Sequence, residues 1–368
     1  MTNSSHTLRN TVARTEAKKR ALQENFKRRT VSFYRYVTLS DPQELRDELF
    51  RDWSALGVLG RIYVAREGIN AQMSVPETQW DIFEQKLNAR PEFQGVPFKF
   101  AVEAEGPSFI KLTIKVKHQV VADGLTPQDY NLSAIGTHLK PESFHSLMEE
   151  PNAVVVDMRN GYESRIGRFE GAVCPAAETF REELPMVKEM LSGKEDQPVL
   201  LYCTGGIRCE KASAYLRHHG FKKVYQLEGG IIQYAHTVRE KNLPSKFKGK
   251  NFVFDERRAE KITNDVLTQC DQCASPCDGY VNCNNEACNL LFIQCGPCTE
   301  QWAGCCKASC RDIYLLPEAE RRAYRRGLKI KGVNISSCSL KRFDNGSEDI
   351  FISSRKDEEA RLRRVEED

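Results

Sequence analysis

No stretch of this sequence approaches the run of about twenty apolar residues that a membrane-crossing helix needs. The first segment, Met1 to Arg29, is polar and basic and has no apolar centre, which excludes a cleaved secretory signal. Net charge is nearly absent: the formal balance is +3, so the molecule as a whole is not a general polyanion binder. There is no internal repeat at solenoid spacing and no long low-complexity tract. No motif for haem, flavin or a facial iron triad stands out. These absences lead to the expectation of a cytoplasmic protein with no membrane partner.

What is present fits a folded chain. Of the 368 residues, 40% are hydrophobic and 29% charged, as in ordinary globular proteins. The length exceeds what one core supports and implies two or three domains. Charge is unevenly placed. Arg9, Arg14, Lys18, Lys19, Arg20, Lys27, Arg28 and Arg29 crowd the first segment against only Glu16 and Glu24. A second basic cluster, Arg321, Arg322, Arg325, Arg326, Lys329 and Lys331, lies near the other end. From Lys356 to Asp368 both signs are dense, which reads as a frayed tail or a solvated helix.

Hydrophobic periodicity divides the chain into blocks. After a basic segment over 1–30, a domain over 31–122 opens with the alternating run Val31 to Val37, a strand. Asp41-Pro42 starts a helix, with proline in the first turn. Gly60 to Val64 and Ile69 to Val75 read as strands around Arg66-Glu67-Gly68, Pro76 to Leu87 as a helix, and Phe98 to Val102 and Phe109 to Val116 as extended runs. The order βαββαβ predicts a ferredoxin-like (acylphosphatase-like) α+β sandwich. That architecture alone says little about chemistry.

A second domain, over 137–241, alternates strand and helix. Ala153 to Asp157 and Val199 to Tyr202 are continuously apolar, as suits parallel strands buried on both faces. Glu210 to His219 is a helix stopped by Gly220, and Val224 to Leu227 is the next strand. This is an α/β domain with a parallel sheet. A cysteine-rich, basic segment follows over 250–335, then a charged tail over 336–368.

The strand ending at Tyr202 runs into Cys203-Thr204-Gly205-Gly206-Ile207-Arg208 and then a helix. Gly205 and Gly206 let successive amides turn inward as an anion-binding nest, to which the helix start adds its positive end. Arg208 supplies a fixed positive charge. Each feature lowers a thiol pKa, so Cys203 reads as a sulfur nucleophile with Arg208 as its catalytic partner, and Thr204, Gly205, Gly206, Ile207 and Cys209 as the surrounding anion loop. Cys209 is either a resolving thiol or a small residue at the helix start. Cys174 and Cys338 read as ordinary small residues.

Phosphatases built on this design place a longer segment between cysteine and arginine; here only four residues intervene. That tighter spacing resembles the rhodanese family, whose cysteine carries sulfur as a persulfide. Asp157-Met158-Arg159, Glu163 and Phe169-Glu170-Gly171-Ala172-Val173 resemble that family's first signature, and Leu227-Glu228-Gly229-Gly230-Ile231 its closing one. Asp157 and Arg159 read as a supporting pair that fixes a loop.

Of the 14 cysteines, ten fall between Cys270 and Cys310: Cys270, Cys273, Cys277, Cys283, Cys288, Cys295, Cys298, Cys305, Cys306 and Cys310. Two Cys-x-x-Cys knuckles head a metal-binding segment, and four thiolates per tetrahedral zinc allow one or two structural ions. An iron–sulfur cluster is the lesser alternative. Which cysteines share an ion is not readable from spacing. Beyond them, Arg321, Arg322, Tyr324, Arg325 and Arg326 place a tyrosine among arginines, which reads either as an RNA contact or as a charged helix face.

One family joins these parts. Ala65-Arg66-Glu67-Gly68-Ile69-Asn70, the run Cys203 to Lys211, Cys283-Asn284-Asn285 and Ile293-Gln294-Cys295 are similar to the oxygen-dependent bacterial tRNA uridine hydroxylases, over about Val31 to Arg311. The resemblance implies a tRNA partner, molecular oxygen as co-substrate, an electron donor it does not identify, and 5-hydroxyuridine made at the wobble position. Its essential cysteine falls on Cys203. The reading that competes is a sulfurtransferase passing a persulfide to a small-molecule or protein acceptor. Oligomeric state is open.

Overall fold

In a computed structural model, which describes residues 8–103, 106–126 and 128–327, helix α1 (Arg14–Gln23) precedes strand β1 (Arg28–Tyr36). Helix α2 (Pro42–Ala55) begins where it does because the Asp41 carboxylate accepts the amides of Gln43 and Glu44, both at 2.9 Å. Strands β2 (Leu59–Ala65) and β3 (Gly68–Pro76), helix α3 (Trp80–Asn88) and strands β4 (Lys99–Phe100) and β5 (Leu112–Val116) follow. The sheet order is β4-β1-β3-β2-β5, antiparallel except that β5 runs parallel to β2. This is the expected ferredoxin-like arrangement with β5 as an added edge strand.

Period-two alternation assigns the two sheet faces. Val31 and Phe33 of β1 join Leu49 and Trp53 of α2 and Phe83 of α3 in one core. Ser32, Tyr34 and Tyr36 therefore project from the opposite face.

The α/β half comprises β6 (Thr137–Leu139), α4 (Pro141–Leu147), β7 (Val154–Asp157), α5 (Gly161–Arg165), β8 (Gly167–Phe169), α6 (Phe180–Met190), β9 (Pro198–Tyr202), α7 (Ile207–His218), β10 (Lys223–Leu227) and α8 (Gly230–Glu240). Strands β6-β10-β9-β7 form a parallel sheet. Val199 and Leu201 pack with α6 and α7, while Leu200 and Tyr202 pack with α4 and α8. The continuously apolar strands are thus explained by helices on both faces. Strands β11 (Phe247–Phe252) and β12 (Ala259–Lys261) continue this half, β11 pairing with β8. A second compact unit starts at Thr268. It holds a hairpin, β13 (Tyr280–Asn282) and β14 (Leu291–Ile293), then helices α9 (Gly296–Trp302), α10 (Ala308–Leu315) and α11 (Glu318–Gly327).

Within the first unit the two halves are locked at the exposed face of β1. Tyr34 donates to Glu210 at 2.8 Å, and Tyr36 donates to the Ile207 carbonyl at 3.3 Å. The fully buried Lys211 of α7 pairs with Asp123 and, at 2.9 Å, with Glu67 in the β2–β3 turn. Removing one partner of a buried pair costs about 3–5 kcal/mol. This lysine therefore ties the front sheet to the helix behind the reactive loop.

Candidate active site

Cys203 follows the last residue of β9, and the chain then turns sharply into α7. Gly206, at φ 98°, occupies the left-handed region that admits glycine most readily. Its amide donates to the Cys203 sulfur at 3.1 Å. The closing signature also has a task here. Ile231 and Ile232, at the start of α8, donate their amides to the carbonyls of Cys203 (3.0 Å) and Thr204 (3.2 Å). A side chain on Gly230 would meet the Cys203 carbonyl oxygen at 2.5 Å, so only glycine lets α8 approach the loop.

Burial alone would raise the Cys203 thiol, which is 1% exposed. A hydrogen bond from Cys209, the Arg208 charge and the amides of Arg208 and Gly206 outweigh it and bring the pKa down from 9.0 to about 6. At neutral pH the sulfur is mostly thiolate. Cys209 is pushed well above the ordinary thiol range, by burial and then by Cys203. At rest it is a protonated donor to Cys203.

Arg208 acts at one remove. Its guanidinium forms a bidentate pair with buried Glu163, at 2.6 and 2.9 Å, so its hydrogen bonds go to the protein while its charge reaches the sulfur. Arg159 grips Asp157 at 2.8 and 2.6 Å and the Gly167 carbonyl at 2.7 Å; Tyr202 donates to Asp157 at 2.7 Å. This buried group braces the strand end beside Cys203. Burial, and then the Asp157 charge, raise the Cys174 thiol to about 11.

In the second unit the cysteines sort into two sets. Cys270, Cys273, Cys295 and Cys298 converge, as do Cys283, Cys288, Cys306 and Cys310, each set with its sulfurs within 4.8 Å of one another. Metal–sulfur bonds of about 2.3 Å in a tetrahedron imply sulfur separations of about 3.8 Å. The separations of 3.5 Å for Cys273–Cys295 and 3.7 Å for Cys288–Cys306 and Cys306–Cys310 fit that geometry. Backbone amides of Cys295 and Cys306 donate to Cys270 and Cys283 at 3.4 and 3.5 Å, orienting the ligands as outer-shell bonds do. Cys277 and Cys305 belong to neither set.

Three family models match the chain: the UPF0176 acylphosphatase like domain over residues 28–120, the rhodanese-like domain over 140–237 and the rhodanase C-terminal over 248–311. The tRNA uridine(34) hydroxylase of Leptospira interrogans is 54% identical over 310 residues, 84% of each chain. That of Sodalis glossinidius is 49% identical over 336 residues, 91% of this chain and 95% of its own. That of Pectobacterium carotovorum is 49% identical over 321 residues, 87% and 90%. The chain belongs to the tRNA uridine(34) hydroxylase family.

In this hydroxylase-family chain the two resemblance motifs of the first unit meet in space, where Glu67 of the front turn pairs with Lys211 of the loop run at 2.9 Å; Asn70 of the same turn motif donates to the Val120 carbonyl at 3.3 Å. Sequence reasoning missed Tyr34, Glu210, Lys99 and Glu183. The first was signalled by the polar face of β1. Glu183, fully buried on α6 with both carboxylate oxygens unpartnered, is pushed well above the carboxylate range by burial. On α11, Arg322 pairs with Glu318, Arg325 with Glu286, and Arg321 lies 5.5 Å over the Tyr314 ring, while Tyr324 and Arg326 are exposed. Cys338, Lys329, Lys331 and the charged tail lie outside the described residues.

The thiol ionises as pH rises through about 6. Alkylation of Cys203 by iodoacetamide, followed by peptide mass spectrometry, is therefore expected to accelerate through pH 6 and level off by neutrality. A rate still climbing toward the unperturbed thiol value of 9.0 would contradict the site's electrostatics.

Proposed function

We propose that this chain converts uridine 34, the wobble position of tRNA, to 5-hydroxyuridine, with Cys203 as nucleophile and molecular oxygen as co-substrate. The observation that carries the reading is a buried thiol whose pKa the loop's donors and Arg208 bring down to about 6, within a chain matching tRNA uridine(34) hydroxylases along most of its length. The Cys203 thiolate adds to C6 of the uracil ring, and the C5–C6 electron pair moves toward C5 and O4. Carbon 5, now electron-rich, takes oxygen. A two-electron reductant and two protons release the second oxygen atom as water. Loss of the C5 proton and expulsion of the thiolate from C6 restore the ring.

The other parts have supporting tasks. Zinc, in closed all-thiolate sites without an open position, would be structural; each ion would let a short segment fold without a large core. Arg321, Arg322, Arg325 and Arg326 and the basic first segment would contact tRNA phosphates and Tyr324 would stack a base; the cytoplasm is where such an enzyme would work. No helix among the described residues is long and apolar enough to cross a membrane.

Nucleoside mass spectrometry of tRNA from cells whose sole copy is Cys203→Ser is expected to show the wobble uridine without its added oxygen. Retention of 5-hydroxyuridine would overturn the reading. Brisk thiosulfate–cyanide turnover with unchanged tRNA would favour the sulfur carrier instead. For the metal, elemental analysis of the purified chain is expected to give two zinc ions, reduced by Cys283→Ser or Cys270→Ser and unaffected by Cys277→Ser. Iron with visible absorbance, or no metal, would contradict this assignment.

A further inference from the structure

The face of the front sheet that looks onto the reactive loop carries a row of polar residues set by strand register. Ser32 of β1 lies opposite Gln72 of β3 on one side and Lys99 of β4 on the other, and directly opposed residues share a face. All three line a cavity of about 50 Å³ whose far wall includes Thr204, the residue after the nucleophile.

Two groups stand out in that cavity, a largely buried cation with no ion-pair partner and a buried hydroxyl with no hydrogen bond. Lys99 is 6% exposed. Its ammonium rests 4.4 Å from the Tyr34 ring centroid, and its aliphatic stem packs against Gly205. No carboxylate among the described residues pairs with it. The two carboxylates in the cavity wall, Asp255 and Glu260, are bound instead to Arg257, at 2.6 and 2.7 Å. The Thr204 hydroxyl is likewise buried with no hydrogen-bond partner. A desolvated cation and an orphan hydroxyl flanking a thiolate form a site for a neutral polar group that gains negative charge during reaction. Burial lowers Lys99 to about 8 and the charges of Cys203, Glu210 and Glu228 oppose that fall, so the lysine is largely cationic at neutrality and in electrostatic reach of the sulfur.

We propose that Lys99 is a catalytic residue contributed by the front domain: its ammonium donates to uracil O4, holding the charge that arrives there when the Cys203 sulfur bonds to C6, with the Thr204 hydroxyl as a second polar contact to the ring. The inference rests on the hydroxylase reading. The step it serves involves no net redox change. The sulfur–C6 bond forms, the C5–C6 pair shifts into C4–C5, and the carbonyl pair moves onto O4. Before oxygen enters, this enolate can take a solvent proton at C5, then lose the original C5 hydrogen and expel the thiolate, returning uridine with exchanged hydrogen.

That exchange supplies a test independent of hydroxylation. The full-length protein is incubated without oxygen with tRNA tritiated at C5 of uridine, and release of tritium to water is followed beside tRNA affinity. Wild-type protein is expected to release the label. Lys99→Met is expected to slow release by about 10²–10³-fold, the range for losing one oxyanion donor, while tRNA affinity changes little. Lys99→Arg, which keeps a cation, is expected to recover part of the rate, and thermal melting reports whether each variant folds. Release by folded Lys99→Met at the wild-type rate would overturn the assignment and leave the hydroxylase reading intact. If the wild type hydroxylates without exchange, the same comparison is read from single-turnover hydroxylation, and an unchanged rate in folded Lys99→Met would overturn the assignment. If the wild type neither exchanges nor hydroxylates, the function itself has failed, and the role of Lys99 with it.

Discussion

A thiolate held inside a protein is the condition on which this chain's chemistry stands. Taking a charged sulfur out of water disfavours it, and the loop answers with local donors rather than an open aqueous pocket. The Gly206 amide, the Arg208 amide and the Cys209 thiol all point at Cys203, and a nearby guanidinium adds charge without taking a hydrogen bond from the sulfur's own donors. The bidentate hold of Glu163 fixes the position of that guanidinium. The loop is pre-organised, so little reorganisation is needed when charge moves.

The front domain completes this environment. Its core faces α2 and α3, but the other face of β1 carries Tyr34 and Tyr36 onto α7, and Lys211 closes the junction from the opposite side. A sheet that might have been a separate module thereby becomes part of the wall around the nucleophile. The arrangement also gives the motif around Glu67 a physical meaning: the turn accepts from Lys211 at 2.9 Å and from the Val120 amide at 2.7 Å, joining the loop helix to the linker between the halves.

Much of this was readable from residue patterns, and the limits are instructive. Alternation in Val31 to Val37 and the unbroken apolar run Val199 to Tyr202 set strand type and sheet environment, because side-chain period and two-sided burial are local properties. Cys203, its glycines and Arg208 announced the nest for the same reason. The pairing of the cysteines was not readable: the sets alternate along the chain, with 270–273 joining 295–298 and 283–288 joining 306–310. Nothing in spacing distinguishes that pattern from a sequential one. Lys99 stayed hidden in a short strand because its importance lies in the register of β4 on β1 and in the missing carboxylate, and both belong to tertiary structure. Arg208 was read as a fixed positive charge beside the sulfur; that Glu163 is what fixes it, through a bidentate hold, belongs to tertiary structure.

Ultraviolet difference titration of thiolate absorbance, wild type minus Cys203→Ser, reads the ionisation of this one sulfur in the intact fold. The account predicts a single transition centred near pH 6. A transition near 9.0, the value of an unperturbed thiol, would contradict it.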